Sequence, residues 1–518
     1  MTRETDVLIV GSGLTALIAA DRVLTESDAS VTLVSAGQGA SPYIHGFSYP
    51  VGAGDNEALL IQDTLRSGGY ENDPELVRAL VSEVSGLPAF FAGLGLSPDE
   101  EDGAVRLFTS LGSSRPRIAT IGNDTGPVLM KALRKRLLSF ARFLEVKNCR
   151  LVNLIAEGGR IAGGWFLEPG GHLFPVFSSR TLLATGGYSA LFPVTTNSPD
   201  CGGDTLAIAD RAGVTLRDLS KVQFEPCVSI RPDQTRGKGL ITTMFHEGAV
   251  LRNRDGIRFL ENSRYPEREC MQKDELSAAI FEEIRNGRPT ENGGVLFDAA
   301  AVPSELFEER YAPYLNRYLA VGIDLRTTPA EVAPAAHTSC GGIRITPDCR
   351  TVLPGLFAAG ECAGGLHGKN RLGGNGGLMV LSFGRIAGKT LASEMNQGSA
   401  SEDREKTVSG ERIRGAFDAL LDAFPELLVP PLPDGLPAAW DVQRKAALGR
   451  GAGIGASEED RRSALREIRD LKDALSRIPR GKRCGTPSEL LVSERLMRYV
   501  QDLRASELIL NYKETKED

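Results

Sequence analysis

The stretch "HGKNRLGGNGGLMV" (367–380) sets Arg371 beside glycines at 373, 374, 376 and 377, just before an apolar helical run. A guanidinium is a planar, permanently charged fork that suits a carboxylate or a phosphate. Glycines there let a ligand approach the backbone, and a helix start carries partial positive charge and free N–H groups. His337 opens a second glycine-containing motif, "HTSCGG", and its imidazole can supply a further hydrogen-bonding group. The bland alternatives are a structural salt bridge for Arg371 and a packing role beside a glycine turn for His337. His367 is expected to hold the loop that it opens.

A third group of glycines lies at the N-terminal end. "TDVLIV" (5–10) is a short apolar strand, followed by Gly11, Gly13 and Ala16 in a GxGxxA pattern, a helical run and a second strand, "SVTLVSA". In a βαβ unit this arrangement gives a tight turn, room for a pyrophosphate, close helix–strand packing and a helix start facing the phosphates. The second strand ends in Ser35, where an acidic residue is expected for a ribose hydroxyl. Two later strands end in "ATGG" (Ala184, Gly186, Gly187) and "AAGECAGG" (358–365), the latter with Glu361 placed to accept ribityl hydroxyls. Three such turns favour FAD over NAD, and the helix after Gly374 would face the flavin pyrimidine edge and stabilise an anionic reduced flavin. Asp204, Asn375 and Leu378 complete the expected cofactor contacts.

These turns require a parallel sheet to bring them together. The expected fold is α/β: a Rossmann-like FAD-binding domain with an inserted α+β capping domain and a C-terminal helical region. The expected boundaries are 1–224 and 337–396 for the FAD-binding domain, 225–336 for the cap and 397–518 for the helical region. The 518 residues are 41% apolar and 25% charged, which suits several packed domains and argues against disorder. A net charge of −7 argues against general nucleic-acid binding. Eight scattered cysteines with no CxxC pair argue against a Cys-rich metal site or a disulfide framework, and fit a reducing cytoplasm. The sequence shows no apolar run of about 18 residues, so an integral membrane segment is not expected. The basic loop at 477–485 and the Pro-rich run at 429–437 are read as surface features.

Over residues 5–395 the chain resembles the flavoprotein subunits of fumarate reductase and succinate dehydrogenase, together with L-aspartate oxidase. The motifs that carry the resemblance are "VLIVGSGLTALIAA", "LLATGG", "GAVLRNRDGIRFL", "HTSCGGIRI", "LPGLFAAGE" and "HGKNRLGGNGGL". The aspartate oxidases are similar in further details, at Ser35 and in "HTSCGG". The resemblance implies that the cap closes over the flavin with a dicarboxylate between them. Arg371 matches the arginine that clamps one carboxylate, and His337 matches a substrate histidine. Hydride passes between substrate carbon and flavin N5 in that family, and a cap arginine moves the proton. That position falls on Lys273, with Arg264 and Arg268 nearby as substitutes.

The departures lie on the substrate side. Glu225, in "QFEPC", stands where the family has a histidine for the second carboxylate, and Thr242 and Phe245 stand at its proton-relay positions. An anionic Glu225 would repel a second carboxylate; either it receives a neutral or amine group, or it points away or is protonated. The expected function is therefore an FAD-dependent oxidoreductase acting at a C–C or C–N bond of a small carboxylate substrate other than a standard dicarboxylate. The alternatives are L-aspartate oxidase and a non-catalytic flavin-binding subunit. Without a CxxCH or CxxC motif, electrons are expected to leave by oxygen, a soluble carrier or another subunit. Ser41 falls near the position at which succinate dehydrogenases link FAD through histidine, so noncovalent FAD is expected, with His45 the alternative attachment point. Acid denaturation should release all the flavin; flavin retained on the chain would overturn this expectation.

Overall fold

The computed structural model describes residues 3–512 apart from 123, 263, 398–407, 430–434, 482–485, 488 and 489. Cys484, most of the Pro-rich run and part of the basic loop lie outside the described residues. The first strand, Arg3–Val10, is central to a seven-stranded sheet. It pairs in parallel with Val31–Ser35 on one side and with Leu173–Leu183 on the other. Phe143–Lys147 extends the sheet beyond Val31–Ser35, again in parallel. Besides Arg3–Val10, the long strand Leu173–Leu183 has two partners along its length: a hairpin strand, Arg160–Leu167, on its first half and Leu356–Ala358, in parallel, on its second. These strands read as continuous apolar runs because both sheet faces are covered.

Five parallel strands thus end at one edge, and the residues at or just after those ends (Gly11, Ser35, Cys149, Ala184 and Ala359) line one large cavity. This is the edge at which open α/β sheets bind ligands. The helices Leu14–Glu26 and Asn375–Asn396 pack together against the sheet. Gly388 permits their close approach, since a Cβ there would lie 2.9 Å from the Ala19 carbonyl oxygen. Both helices therefore deliver their N-terminal ends to the same edge.

A separate four-stranded antiparallel sheet runs in the order Val222–Arg231, Ala330–Ser339, Val295–Asp298, Val250–Arg252. It has its own core, including Leu251, Leu276, Phe297 and Phe307, and its two long strands straddle positions 225 and 336. Its ladder is interrupted between Glu225 and Val228, where Pro226 has no N–H to donate. The helix Lys273–Arg285 lies across this strand, with Ser277 Oγ donating to the Phe224 carbonyl at 3.2 Å. Towards the C-terminus, helices Glu458–Ser476 and Glu494–Asn511 pack with Gly435–Ala452, and Asp502 caps the start of Asp204–Arg211 through the Gly203 N–H at 2.8 Å.

The 74–93 segment has the length and composition of a membrane span. It is nevertheless broken into Pro74–Ser82 and Leu87–Gly93, with Leu76, Leu80, Leu87 and Phe91 buried in the main core.

Gly11 holds the turn after the first strand at φ +117°, and a Cβ there would stand 2.1 Å from the Ala184 carbonyl oxygen. Gly11→Ala should destabilise the fold by at least about 3 kcal/mol, from strain and steric clash together. Gly158→Ala, at φ +57° with open space around it, should cost only about 1–2 kcal/mol. Equal losses in thermal unfolding would remove the Ala184 contact as the cause.

Candidate functional site

The cavity at the sheet edge has a volume of about 1710 Å³. That exceeds the roughly 300–1,000 Å³ usual for one small ligand and leaves room for a dinucleotide and a substrate together. One end is built from the first turn: Gly11 and Gly13 line it, and Ser41 Oγ accepts from the Leu14 N–H at 2.8 Å. Ser35, Ala184 and Gly186 continue this wall. At the other end the helix Asn375–Asn396 begins with no side chain capping it, and Gly374, Gly376 and Gly377 line the cavity. Its exposed amides therefore face the cavity as an anion-stabilising group.

Between these ends the two sheets meet. Arg371 Nη2 donates to His337 Nε2 at 3.1 Å, and His337 Nδ1 lies 2.7 Å from Thr196 Oγ1. A guanidinium can only donate. His337 is therefore the tautomer with its proton on Nδ1, given to Thr196. Burial, aided by Lys273 and Arg371, holds its pKa well below the usual histidine value, so the imidazole is neutral. Burial also lowers the pKa of Arg371. Its Nε is buried with no hydrogen-bond partner, and no carboxylate among the described residues is paired with it. Glu225 Oε2 stands 3.9 Å from His337 Nε2 and accepts from Lys273 Nζ at 2.5 Å.

A cluster of amides locks these groups in place. Gln223 Nε2 donates to Asn370 Oδ1 (2.6 Å) and to the Arg371 carbonyl (2.8 Å). Asn370 Nδ2 donates in turn to Ser67 Oγ (3.1 Å) and to Gln272 Oε1 (3.2 Å), the residue before Lys273. The strand carrying Glu225, the helix carrying Lys273 and the loop carrying Arg371 are thus joined at one buried point.

Residues 6–376 match the family model described as an FAD binding domain. The chain is 34% identical over 501 residues to a fumarate reductase (CoM/CoB) subunit of Methanothermobacter marburgensis, covering 94% of this chain and 88% of that protein. It is 30% identical over 394 residues to L-aspartate oxidase of Clostridium perfringens, covering 74% and 86%. The chain belongs to this family of FAD-dependent oxidoreductases. A quinol fumarate reductase FrdA variant from E. coli shares the fold, with a TM-score of 0.86 over 98% of this chain and 89% of that one, at 23% identity.

The flavoprotein's residues fit FAD at the glycine turns, at the two open helix starts and at Ser35. Other expected contacts fall differently. Ala16 is buried between helix and sheet, and Gly187 abuts Ser339 and Glu361; neither lines the cavity. Glu361 lines it, but its Oε1 accepts from Thr338 Oγ1 (2.8 Å) and the Ser339 N–H (3.0 Å), bracing the strand beside His337. The Asp204 carboxylate is taken by Arg150 at 2.5 Å. Asn375 faces away from the cavity, bonded to Ser48 and Thr64 at 2.8 Å each, and Leu378 is buried in the core; as the first and fourth residues of the helix, they point inwards. Ser41 and His45 both line the cavity.

Arg268 is not part of the site. It pairs with Glu261 at 3.4 Å, its side chain is 48% exposed, and Arg264 pairs with Glu282 on the same surface. Lys273 reaches the cavity because it begins the helix that crosses the Glu225 strand; Arg268 lies on the preceding turn, which faces outwards. Thr242 lines the cavity, whereas Phe245 packs on Phe297. Sequence reasoning missed Gln223 and Asn370, although both sit inside motifs read for their neighbours. It also missed Arg317, in "APYLNRYL", which carries no motif.

His367 is buried, with Nε2 against Met379 Sδ at 3.3 Å and its pKa lowered by burial to about 3. The unfolded chain, with a value near 6.5, binds a proton that the folded chain refuses. His367 therefore costs no stability above about 6.5 and progressively more as pH falls towards about 3; His337 acts in the same sense. His367→Gln should flatten the acid-side fall in melting temperature, and an unchanged pH profile would exclude this contribution.

Proposed function

We propose that this oxidoreductase acts on a small carboxylate-bearing substrate, held by Arg371 beside the flavin, at a C–C or C–N bond. The observation that carries this reading is the Arg371 guanidinium, which lines the cavity with its Nε buried and unpartnered and with no ion-paired carboxylate among the described residues. A buried charge left alone is costly, and a carboxylate matches its fork. Neutral His337 orients the guanidinium while adding no second positive charge.

When bound, FAD supplies the two-electron partner of the reaction. The chain supplies the proton through Lys273, which lines the cavity and whose Nζ is held by Glu225. Because Lys273 neutralises Glu225, the repulsion expected between Glu225 and a second carboxylate loses its basis, and Glu225 is not left open to receive an amine. A dicarboxylate, as the name of the Methanothermobacter relative implies for that protein, becomes compatible with the site. L-aspartate oxidation is the second reading, supported by the relatives of that name.

Reduced holoenzyme mixed with a panel of unsaturated acids and imines, and oxidised holoenzyme mixed with L-aspartate, would identify the substrate class. With the substrate so found, Lys273→Met should lower kcat by about 100-fold or more and, because it leaves Glu225 without its counter-charge, also weaken binding of an anionic substrate. Arg268→Gln should leave kcat within about twofold, as expected for an exposed pair. Equal effects of the two substitutions would remove Lys273 from the proton step.

A further inference from the structure

The helix Glu494–Asn511 presents one stripe of side chains to the nucleotide end of the cavity. Glu494, Arg498, Asp502 and Ala505 recur at helical spacing, which places them on a single face. Each meets a segment behind that end. Glu494 Oε1 lies 3.5 Å from Arg150 Nε. Arg498 Nη2 donates to the Pro199 carbonyl, and Asp502 Oδ1 accepts from the Gly203 N–H at 2.8 Å. A Cβ on Gly203 would stand 2.4 Å from the Ala505 Cβ, so a glycine is needed there for the helix to approach. On the same side, Gln501 Nε2 donates to the Val152 carbonyl at 3.1 Å.

The segments held in this way line the cavity beside the first turn. Arg150, Pro199, Asp200, Asp204 and Thr205 are all part of its wall, whereas Glu494, Arg498 and Asp502 are not. The Cys149 N–H donates to the Ser35 carbonyl at 2.9 Å. The Asp200 carboxylate lies against Gly37, where a Cβ would stand 2.1 Å from Oδ2. Thr205 Oγ1 donates to Thr185 Oγ1 at 2.7 Å. Residues 198–204 thus bridge the C-terminal helix and the turns that fit FAD.

The helix Asp204–Arg211 starts at Gly203, which has no side chain to cap it. Asp502 supplies the missing acceptor from another part of the chain. The charges around it are paired. Arg150 bonds Asp204 at 2.5 Å, and Arg444 bonds Asp441 at 2.6 Å while lying 3.9 Å from Asp502 Oδ2. Burial raises the pKa of Asp502, against the pull of Arg444. In either protonation state a carboxyl oxygen remains to accept the Gly203 N–H.

We propose that Asp502 and Arg498 are positioning residues for FAD, which hold residues 198–204 in the shape the cofactor requires without lining its cavity. The C-terminal helical region, which carries no cofactor motif, then sets cofactor affinity. The proposal needs only FAD in the cavity and is independent of the substrate.

Full-length apoprotein titrated with FAD, read by quenching of flavin fluorescence, tests it. Asp502→Ala should weaken FAD binding about tenfold or more, the scale of a buried donor left unsatisfied. Asp502→Asn keeps an acceptor and should stay within about threefold of the unaltered protein. Arg498→Met, at a partly exposed position, should weaken binding about fivefold; where Asp502→Ala does not fold, Arg498→Met alone decides. Arg504→Gln removes a pair between the same two helices, to Asp210 at 2.7 Å and away from the cavity wall, and should leave affinity within about twofold. Melting temperatures of the apoproteins measure the packing loss separately. Unchanged FAD affinity in the folded Asp502→Ala and Arg498→Met variants overturns the proposal. So does a loss in Arg504→Gln as large as theirs, or a loss in Asp502→Asn equal to that of the alanine variant.

Discussion

A guanidinium that lines the cavity with no ion-paired carboxylate among the described residues is the constraint around which this molecule is organised. Arg371 cannot shed its proton, and its Nε is buried without a hydrogen-bond partner. It is kept in place by a neutral imidazole on one side and by the Gln223 amide on its own carbonyl. Each support comes from the second sheet, so the charge is placed correctly only when the two sheets meet. A free-standing nucleotide-binding sheet with the same loop would leave that side chain in solvent.

The Glu225–Lys273 pair follows the same logic. A carboxylate inside a site for anions is a liability when it stands alone. Opposed by an ammonium at 2.5 Å, it becomes a holder for that ammonium. The pair forms because the helix Lys273–Arg285 crosses the strand at the point where Pro226 interrupts the ladder. The amide cluster of Gln223, Asn370 and Gln272 then ties Lys273 and Arg371 into one frame. The chain segments that carry the substrate-facing groups are thus tied together by uncharged hydrogen bonds, which add rigidity without adding to the field.

Much of the nucleotide end was legible in the chain. Gly11, Gly13 and the turns at 184–187 and 358–365 depend on local backbone needs, and those leave glycines at fixed offsets. Arg371 and His337 were legible for a similar reason, each lying in a motif whose glycines mark the close approach of a ligand. Asn375 and Leu378 were misjudged because a motif shows proximity to a ligand but not the direction in which a helical side chain points. Arg268 was misjudged because a difference of five residues from Lys273 decides whether a cation faces the cavity or the solvent.

The sequence by itself determined the parallel sheet, the glycine turns at its edge and the family that builds them, because each depends on short-range periodicity and on residues that only one backbone geometry requires. The tertiary structure alone decided that Lys273 neutralises Glu225, that Gln223 holds the Arg371 loop and that Arg317 shares the cavity. Those partners are separated by tens to hundreds of residues and meet only through the packing of two sheets. A charge has no fixed meaning until its nearest opposite charge is known, and no local pattern records that distance.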